Sequence, residues 1–254
     1  MLSVSEVTKA FDTRSVLNGV TFELGVGEMV GLVGPGGGGK SVLLKIIGGV
    51  LRADSGLVQF EASKSNADGS LQSGFLFQEG ALFDSMTVLE NVAFPLLMGE
   101  HDCYSEKRNR GEHSKERRHA AFEQAYHLLR QVGLGDAIRK VPGELSGGMK
   151  RRVGIARALV GNPPIVLLDD PTGGLDPVAS SVIIDLIQRL HQDFRPTVLI
   201  VSHDIRRLLP NVERVLALFD GRIVGNAHPD EIRSNFPPEV IQFLKTRYDF
   251  PSVT

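Results

Sequence analysis

Eight residues, Gly34 to Ser41, read GPGGGGKS: glycine, four residues, glycine, lysine, serine. Glycines at this spacing leave backbone N–H groups free to close round phosphate oxygens. A lysine at the end of the run reaches the outer phosphates of a nucleotide, and a serine hydroxyl beside it can ligate Mg²⁺. A flexible linker is the plain alternative, but linkers rarely end in Lys-Ser at the head of an apolar helix. The second stretch is VLLDDPTGGLDP, Val166 to Pro177, where an apolar run stops on two adjacent aspartates. The third is LSGGMKRR from Leu145, in which Ser146 is a natural helix cap with free N–H groups behind it. On physics alone it reads equally well as a second anion site and as an ordinary capped helix.

In phosphate-binding ATPases with such a loop, an acid at the end of a neighbouring strand holds the Mg²⁺, a place that suits Asp169. Asp170 would then face the attacking water. Taken alone, Asp before Pro-Thr-Gly-Gly is good turn or cap chemistry; the upstream loop moves the reading to the metal.

These residues need strands and helices to hold them. VTFEL (Val20 to Leu24), the turn GVGE and MVGLV ending at Val33 read as short strands. VLLKIIGGV then places Val42, Leu43, Ile46 and Ile47 on a helical face that Gly48 and Gly49 close, so the glycine loop joins a strand to a helix. LVQF and GFLFQ read as strands with a polar loop, Ala62 to Ser73, between them. About Thr87 to Lys140 reads as a helical insert, with Phe122, Ala125, Tyr126, Leu129 and Val132 at helical spacing behind a run of mixed charge best taken as a solvated face. PPIVLLDD reads as a buried strand, VASSVIIDLIQRLHQD as a helix with Val178, Val182, Ile183, Leu186 and Leu190 on one stripe, TVLIVS as a strand, and a helix follows from Asp204. Alternating strands and helices predict an α/β fold with a mostly parallel sheet covered on both faces. In the C-terminal PPEVIQFLKTRYDFPSVT, Val240, Ile241 and Leu244 share a face that suits either the core or a partner subunit.

With 254 residues, one large domain with an inserted subdomain is expected. The 28 basic and 30 acidic residues leave a net charge of -2, which gives no broad electrostatic reason to bind nucleic acid or anionic lipid, so phosphate recognition has to be local. The single cysteine, Cys103, has no disulfide or metal partner and reads as an incidental thiol in a reducing compartment. No apolar run reaches the roughly 18 residues a spanning helix needs, so membrane contact is expected through a partner.

Together, GPGGGGKS, Gln78 in LFQ, LSGGMKRR, LLDDPTGGLDP and His203 in VSHD, in that order, resemble the ATP-binding subunits of ABC transporters over nearly the whole chain. The resemblance implies a P-loop NTPase core with an N-terminal antiparallel β part and an inserted helical subdomain. Residues 1–86 and 141–225 would form the core, about 87–140 the helical part, and 226–254 a C-terminal extension. It implies that ATP and Mg²⁺ bind at Gly34, Pro35, Gly36, Gly37, Gly38, Gly39, Lys40, Ser41 and Val42, with Ser41, Gln78 and Asp169 toward the metal. Phe11 would stack on adenine, His203 would contact the γ-phosphate, and Asp170, His203 and Gln78 would serve hydrolysis. Ser146, Gly147 and Gly148 would touch ATP held by a second copy of the chain, with Asp176 at that dimer interface.

LFQEGALFDSMTVLENVAFPL, LKIIGG and LSGGM, with Met149 where most such signatures carry Gln, further resemble the ATPases of MCE-type phospholipid transporters of bacterial envelopes and chloroplasts. That implies a peripheral subunit on the cytoplasmic face of the inner membrane, bound to an integral permease, with an MCE lipid-binding protein in the same complex. A transporter of another substrate is the nearby alternative, and a soluble ATPase of DNA repair or translation the distant one. Two departures stand out. The loop after LVQF lacks the charged helix usual there, and Asp170 stands where the family has glutamate. A carboxylate one methylene shorter at a reacting centre, where about 1 Å can cost a hundredfold in rate, makes a nucleotide-gated clamp with slow hydrolysis the competing expectation.

Overall fold

The computed structural model describes residues 1–60, 73–78, 80–98 and 112–248, with the backbone alone for 112–114. Most of the expected loop before Ser73, Cys103 and the first part of the charge run lie outside the described residues.

Strands β1 (Leu2–Phe11) and β2 (Arg14–Leu24) form an antiparallel hairpin that buries Leu2, Val4, Val7, Leu17, Val20, Phe22 and Leu24, with a register shift between Val4 and Val7 breaking the simple alternation. β3 (Met29–Val33) is buried throughout, as a strand covered on both faces must be, and leads through the glycine loop into α1 (Lys40–Ile47). β4 (Ser55–Phe60) returns to pair with β1, and β5 (Ser73–Leu76) begins at the last residue of the expected loop.

Helices α2 (Val88–Met98), α3 (Glu112–Gln131) and α4 (Gly147–Leu159) follow. In α2 the fully buried Asn91 donates from its amide to the carbonyls of Phe83, Met86 and Thr87 and fixes the turn that enters the helix. On α3 the buried stripe is Ala121, Ala125, Leu128 and Leu129; Tyr126, expected there, is 38 % exposed.

The remaining elements alternate: β6 (Ile165–Asp169), α5 (Pro177–Phe194), β7 (Thr197–Val201), α6 (Ile205–Leu208), β8 (Arg214–Phe219) and β9 (Arg222–Ala227). Two short helices, α7 (Ile232–Asn235) and α8 (Pro238–Lys245), close the described chain. β9 runs to Ala227, two residues past the expected end of the core. Val240 and Leu244 of α8 are fully buried, and Phe243 meets Phe219 edge-on, which docks this helix on the core.

Two sheets result. One is antiparallel in the order β2-β1-β4; the other runs β5-β6-β7-β3-β8-β9, parallel except for the β8–β9 pair. Side chains of the larger sheet alternate between two cores: Ile165 and Leu167 pack with α1 and the small sheet, while Val166 and Leu168 pack with α2 to α6. The expected stripe on α5 divides in a telling way. Ile183, Leu186 and Leu190 are buried, whereas Val178 and Val182 are 74 % and 49 % exposed.

Candidate functional site

The carboxyl ends of β3, β7 and β6 lie side by side, with Leu32 paired to Val201 and Val201 to Asp169. In a parallel sheet this edge is where ligands bind. The glycine loop leaves β3 there, the paired acids end β6, and His203 follows β7.

The loop delivers an uncapped helix. Gly39, at the N-cap of α1, has φ 95 and supplies no side-chain oxygen, so the first-turn N–H groups stay open to an anion and the helix dipole adds positive potential. A Cβ added at Gly36 or Gly37 would meet nothing within 4 Å, which leaves the loop open to a phosphate chain. Gly39 packs against Val16 and Leu17 of β2, so the small sheet abuts the cradle. Lys40, 4 % exposed, curls back to donate from Nζ to the carbonyls of Gly34 at 2.9 Å and Pro35 at 2.8 Å. Burial pushes its pKa down; Asp169 and Asp170 pull it back up.

Ser41 donates from Oγ to Asp169 Oδ1 at 3.0 Å across 128 residues of chain. Burial pushes the Asp169 carboxyl up, against the Ser41 hydroxyl and the charge of Lys45. A hydroxyl and a carboxylate side by side are the hard oxygen donors Mg²⁺ takes along with substrate phosphates, and a cation there would favour the charged acid. The residues present fit the ion.

Asp170 is buried at φ 47, a left-handed conformation that Asp tolerates better than Glu because its short carboxylate bonds locally. Its Oδ1 faces the backbone N–H of His203 at 3.5 Å, a long contact, and its Oδ2 occupies the space a side chain on Gly173 would need. Gly173→Ala is therefore expected to push this carboxylate aside. Steady-state kinetics should show kcat down roughly tenfold with KM for ATP kept, since about 1 Å of misplacement can cost a hundredfold.

The other expected residues are spread more widely. Phe11 lies at the tip of the β1–β2 hairpin, 44 % exposed, with Lys9 Nζ 5.5 Å from its ring centre. Gln78 is exposed in the turn after β5, and His203 is exposed in the turn before α6. Val42 is half-buried in the first turn of α1. Ser146 caps α4, accepting from Met149 N–H at 3.3 Å, and Asp176 caps α5, accepting from the N–H groups of Val178 and Ala179 at 2.9 Å. Ser146, Gly147, Gly148, Leu175, Asp176 and Val182 line a cleft of their own, apart from Lys40, Ser41 and Asp169.

Two residues escaped the sequence reading. Arg151 of α4, 7 % exposed, donates to the carbonyls of Gln78 at 2.6 Å, Phe77 at 3.4 Å and Gly173 at 3.0 Å. Arg157, six residues further along the helix, donates to the carbonyls of Gly80 at 2.7 Å and Ala81 at 2.8 Å. The signal available was the run KRRVGIARAL, where basic residues recur inside an otherwise apolar helix.

Fold and site define a phosphate-loop nucleoside triphosphatase of the ATP-binding cassette type. A family model described as ABC transporter matches residues 17–173. The chloroplastic protein TRIGALACTOSYLDIACYLGLYCEROL 3 of Arabidopsis thaliana is 35 % identical over 99 % of this chain and 75 % of its own length. The probable ribonucleotide transport ATP-binding protein mkl of Mycobacterium tuberculosis is 35 % identical over 97 % of this chain and 67 % of its own. A sulfate/thiosulfate import ATP-binding protein of Bacillus cereus is 34 % identical over 96 % of this chain and 66 % of its own. Among solved structures, a dimeric ATP-binding cassette in a post-hydrolysis state with ADP and Pi superposes with TM-score 0.73 at 32 % identity, covering 90 % of this chain and 99 % of that one. A nucleotide-free cassette from an ABC transporter gives 0.78 at 28 % identity, covering 96 % and 98 %. The chain belongs to the ABC transporter family as an ATP-binding subunit. It binds ATP with Mg²⁺ and couples ATP hydrolysis to transport, and cassettes of this family act as dimers with membrane permeases. No described helix is long and apolar enough to cross a membrane.

Proposed function

We propose that this chain is the ATPase of a phospholipid transporter of the cell envelope, working as a homodimer on the cytoplasmic face of the inner membrane beneath an integral permease, with an MCE lipid-binding protein in the same complex. The observation that carries the nucleotide chemistry is the meeting of Ser41 and Asp169, 3.0 Å apart, beside the uncapped start of α1 and Lys40. Bound Mg²⁺ would neutralise phosphate charge. Lys40 and the loop N–H groups hold the phosphates, Phe11 stacks on the adenine, and Gln78 and His203 approach the outer phosphate. Asp170 orients the attacking water and accepts its proton.

One chain carries the phosphate loop and, in a separate cleft, the capped helix start at Ser146. Two copies facing each other bring the cleft of one onto the ATP of the other. ATP then holds the pair together and hydrolysis releases it. Val182, which lines that cleft, is 49 % exposed, as suits a surface a second copy covers.

The lipid assignment is supported by the LFQEGALFDSMTVLENVAFPL and LSGGM wording and by a relative whose name is that of a galactolipid. Its test is to purify the tagged chain with its permease from detergent-solubilised membranes and to extract the bound lipid for mass spectrometry. Stoichiometric glycerophospholipid, and ATP turnover that responds to phospholipid, are expected. Turnover that responds instead to sulfate or to a nucleotide cargo would overturn the lipid reading and leave the ATPase standing.

A slow-hydrolysing clamp is the second reading, favoured by the short acid at 170 lying against Gly173 and the His203 N–H. It requires Asp170→Glu to raise turnover; an unchanged or lower rate removes it.

A further inference from the structure

Arg151 is a buried cation whose hydrogen bonds end on three main-chain carbonyls. Those carbonyls belong to two loops that the chain separates widely, the turn of Phe77 and Gln78 after β5 and the turn of Gly173 after β6. On the function proposed above, both loops would serve the hydrolytic site of the same chain. The helix that carries the guanidinium is capped by Ser146, a little over one turn earlier, at the cleft proposed above to meet the ATP of the other copy.

We propose that Arg151 is a positioning residue that ties the Ser146 end of α4 to the Gln78 and Gly173 loops, so that engagement of one ATP site sets the water-aiming acid of the other. This rests on the reading of Asp170 as that acid and of the Ser146 cleft as the cap on a partner's nucleotide.

The fork geometry is what makes the tie effective. A guanidinium sends its N–H groups along fixed, divergent directions, so Nη1 can hold Gln78 while Nη2 holds Gly173. The carbonyl of Gly173 and the site of the Asp170 carboxylate are neighbours: Gly173 N–H donates to Asp170 O at 3.1 Å, and Asp170 Oδ2 fills the space over its Cα. A shift of α4 therefore moves the floor on which the acid rests. Electrostatics act in the same direction. Burial pushes the Arg151 pKa down, and Asp170, followed by Asp169, pulls it back up, so the two adjacent carboxylates share a cation behind them.

The test is a double-mutant cycle on the full chain with its membrane partner, measuring kcat and KM for MgATP in wild type, Arg151→Met, Asp170→Asn and the double variant, each normalised to the folded fraction. Arg151→Met is expected to lower kcat about a hundredfold with KM within about twofold, as for a reacting group displaced by about 1 Å. The double variant should turn over no more slowly than Asp170→Asn alone, because Arg151 acts through that acid. Multiplying losses in the double variant, or a kcat per folded molecule equal to wild type in Arg151→Met, would overturn the proposal. Should Arg151→Met fail to fold, Arg151→Lys keeps the charge but offers a point donor that cannot span both loops; an intermediate kcat is expected, and a wild-type kcat would overturn the tie. The single Asp170→Asn variant reads the acid by itself, so a failure of its assigned role is seen separately.

Discussion

Lys40→Met yields a folded protein that loses turnover by about a hundred- to a thousandfold, the loss seen when one preorganised donor to developing charge is removed. Methionine fills the stem but sends no charge to the phosphates. It also leaves the carbonyls of Gly34 and Pro35 without the donor they share at 2.9 and 2.8 Å. Nucleotide affinity should fall with turnover, because the ammonium holds the ground-state phosphates as well as the transition state. Calorimetry with MgATP and a phosphate-release assay read the two effects. Wild-type ATP uptake by Lys40→Met would remove the cradle at Gly34 to Ser41 as the nucleotide site.

Asp170→Asn separates binding from hydrolysis. The amide keeps an oxygen for the His203 N–H and nearly the same shape, so the loop at φ 47 stands, while the proposed base is gone. Turnover should drop by about a hundred- to ten-thousandfold with ATP affinity kept. On the proposed cycle, in which hydrolysis releases the pair, the variant should also accumulate as an ATP-bound dimer on gel filtration, where wild type returns to monomer. A variant that hydrolyses normally would show that water is aimed by another group. Asp170→Glu adds reach but places a longer side chain in a left-handed backbone, a conformation that costs most residues about 1–2 kcal/mol. We expect it to turn over at or below the wild-type rate.

Much of this site was legible in the residues. GPGGGGKS marked the strand–loop–helix of β3 and α1, and the stop of VLLDD on two acids marked the end of β6, because both signals are local: glycine spacing and an apolar run cut short by charge. Periodicity was less reliable where burial is decided by something distant. Val178 and Val182 fell on the apolar stripe of α5 yet are exposed, since a stripe does not say whether it meets its own core or another chain. Tyr126 was misplaced for a related reason, its ring being large enough to look apolar while lying at the surface. Arg151 was signalled only by basic residues recurring in an apolar helix, and its role was not signalled at all. Its partners are carbonyls, which every residue owns, 73 and 22 positions away, so no residue type in the sequence advertises them. The docking of α8 was open between core and partner, and long-range packing of Phe243 on Phe219 decided it.

The central strand β3 lies between β7 and β8, with Met29 beside Val198 and Val33 beside Ala217. A ribosome therefore releases Lys40 long before it releases β7 and β8, the strands that flank β3. At about 5–20 residues per second, the interval is on the order of ten to forty seconds. During that time the sheet around β3 is incomplete, and the early hairpin of β1 and β2 has to avoid clumping before its later partners arrive. ATP can lend its full binding energy only once those flanking strands are in place.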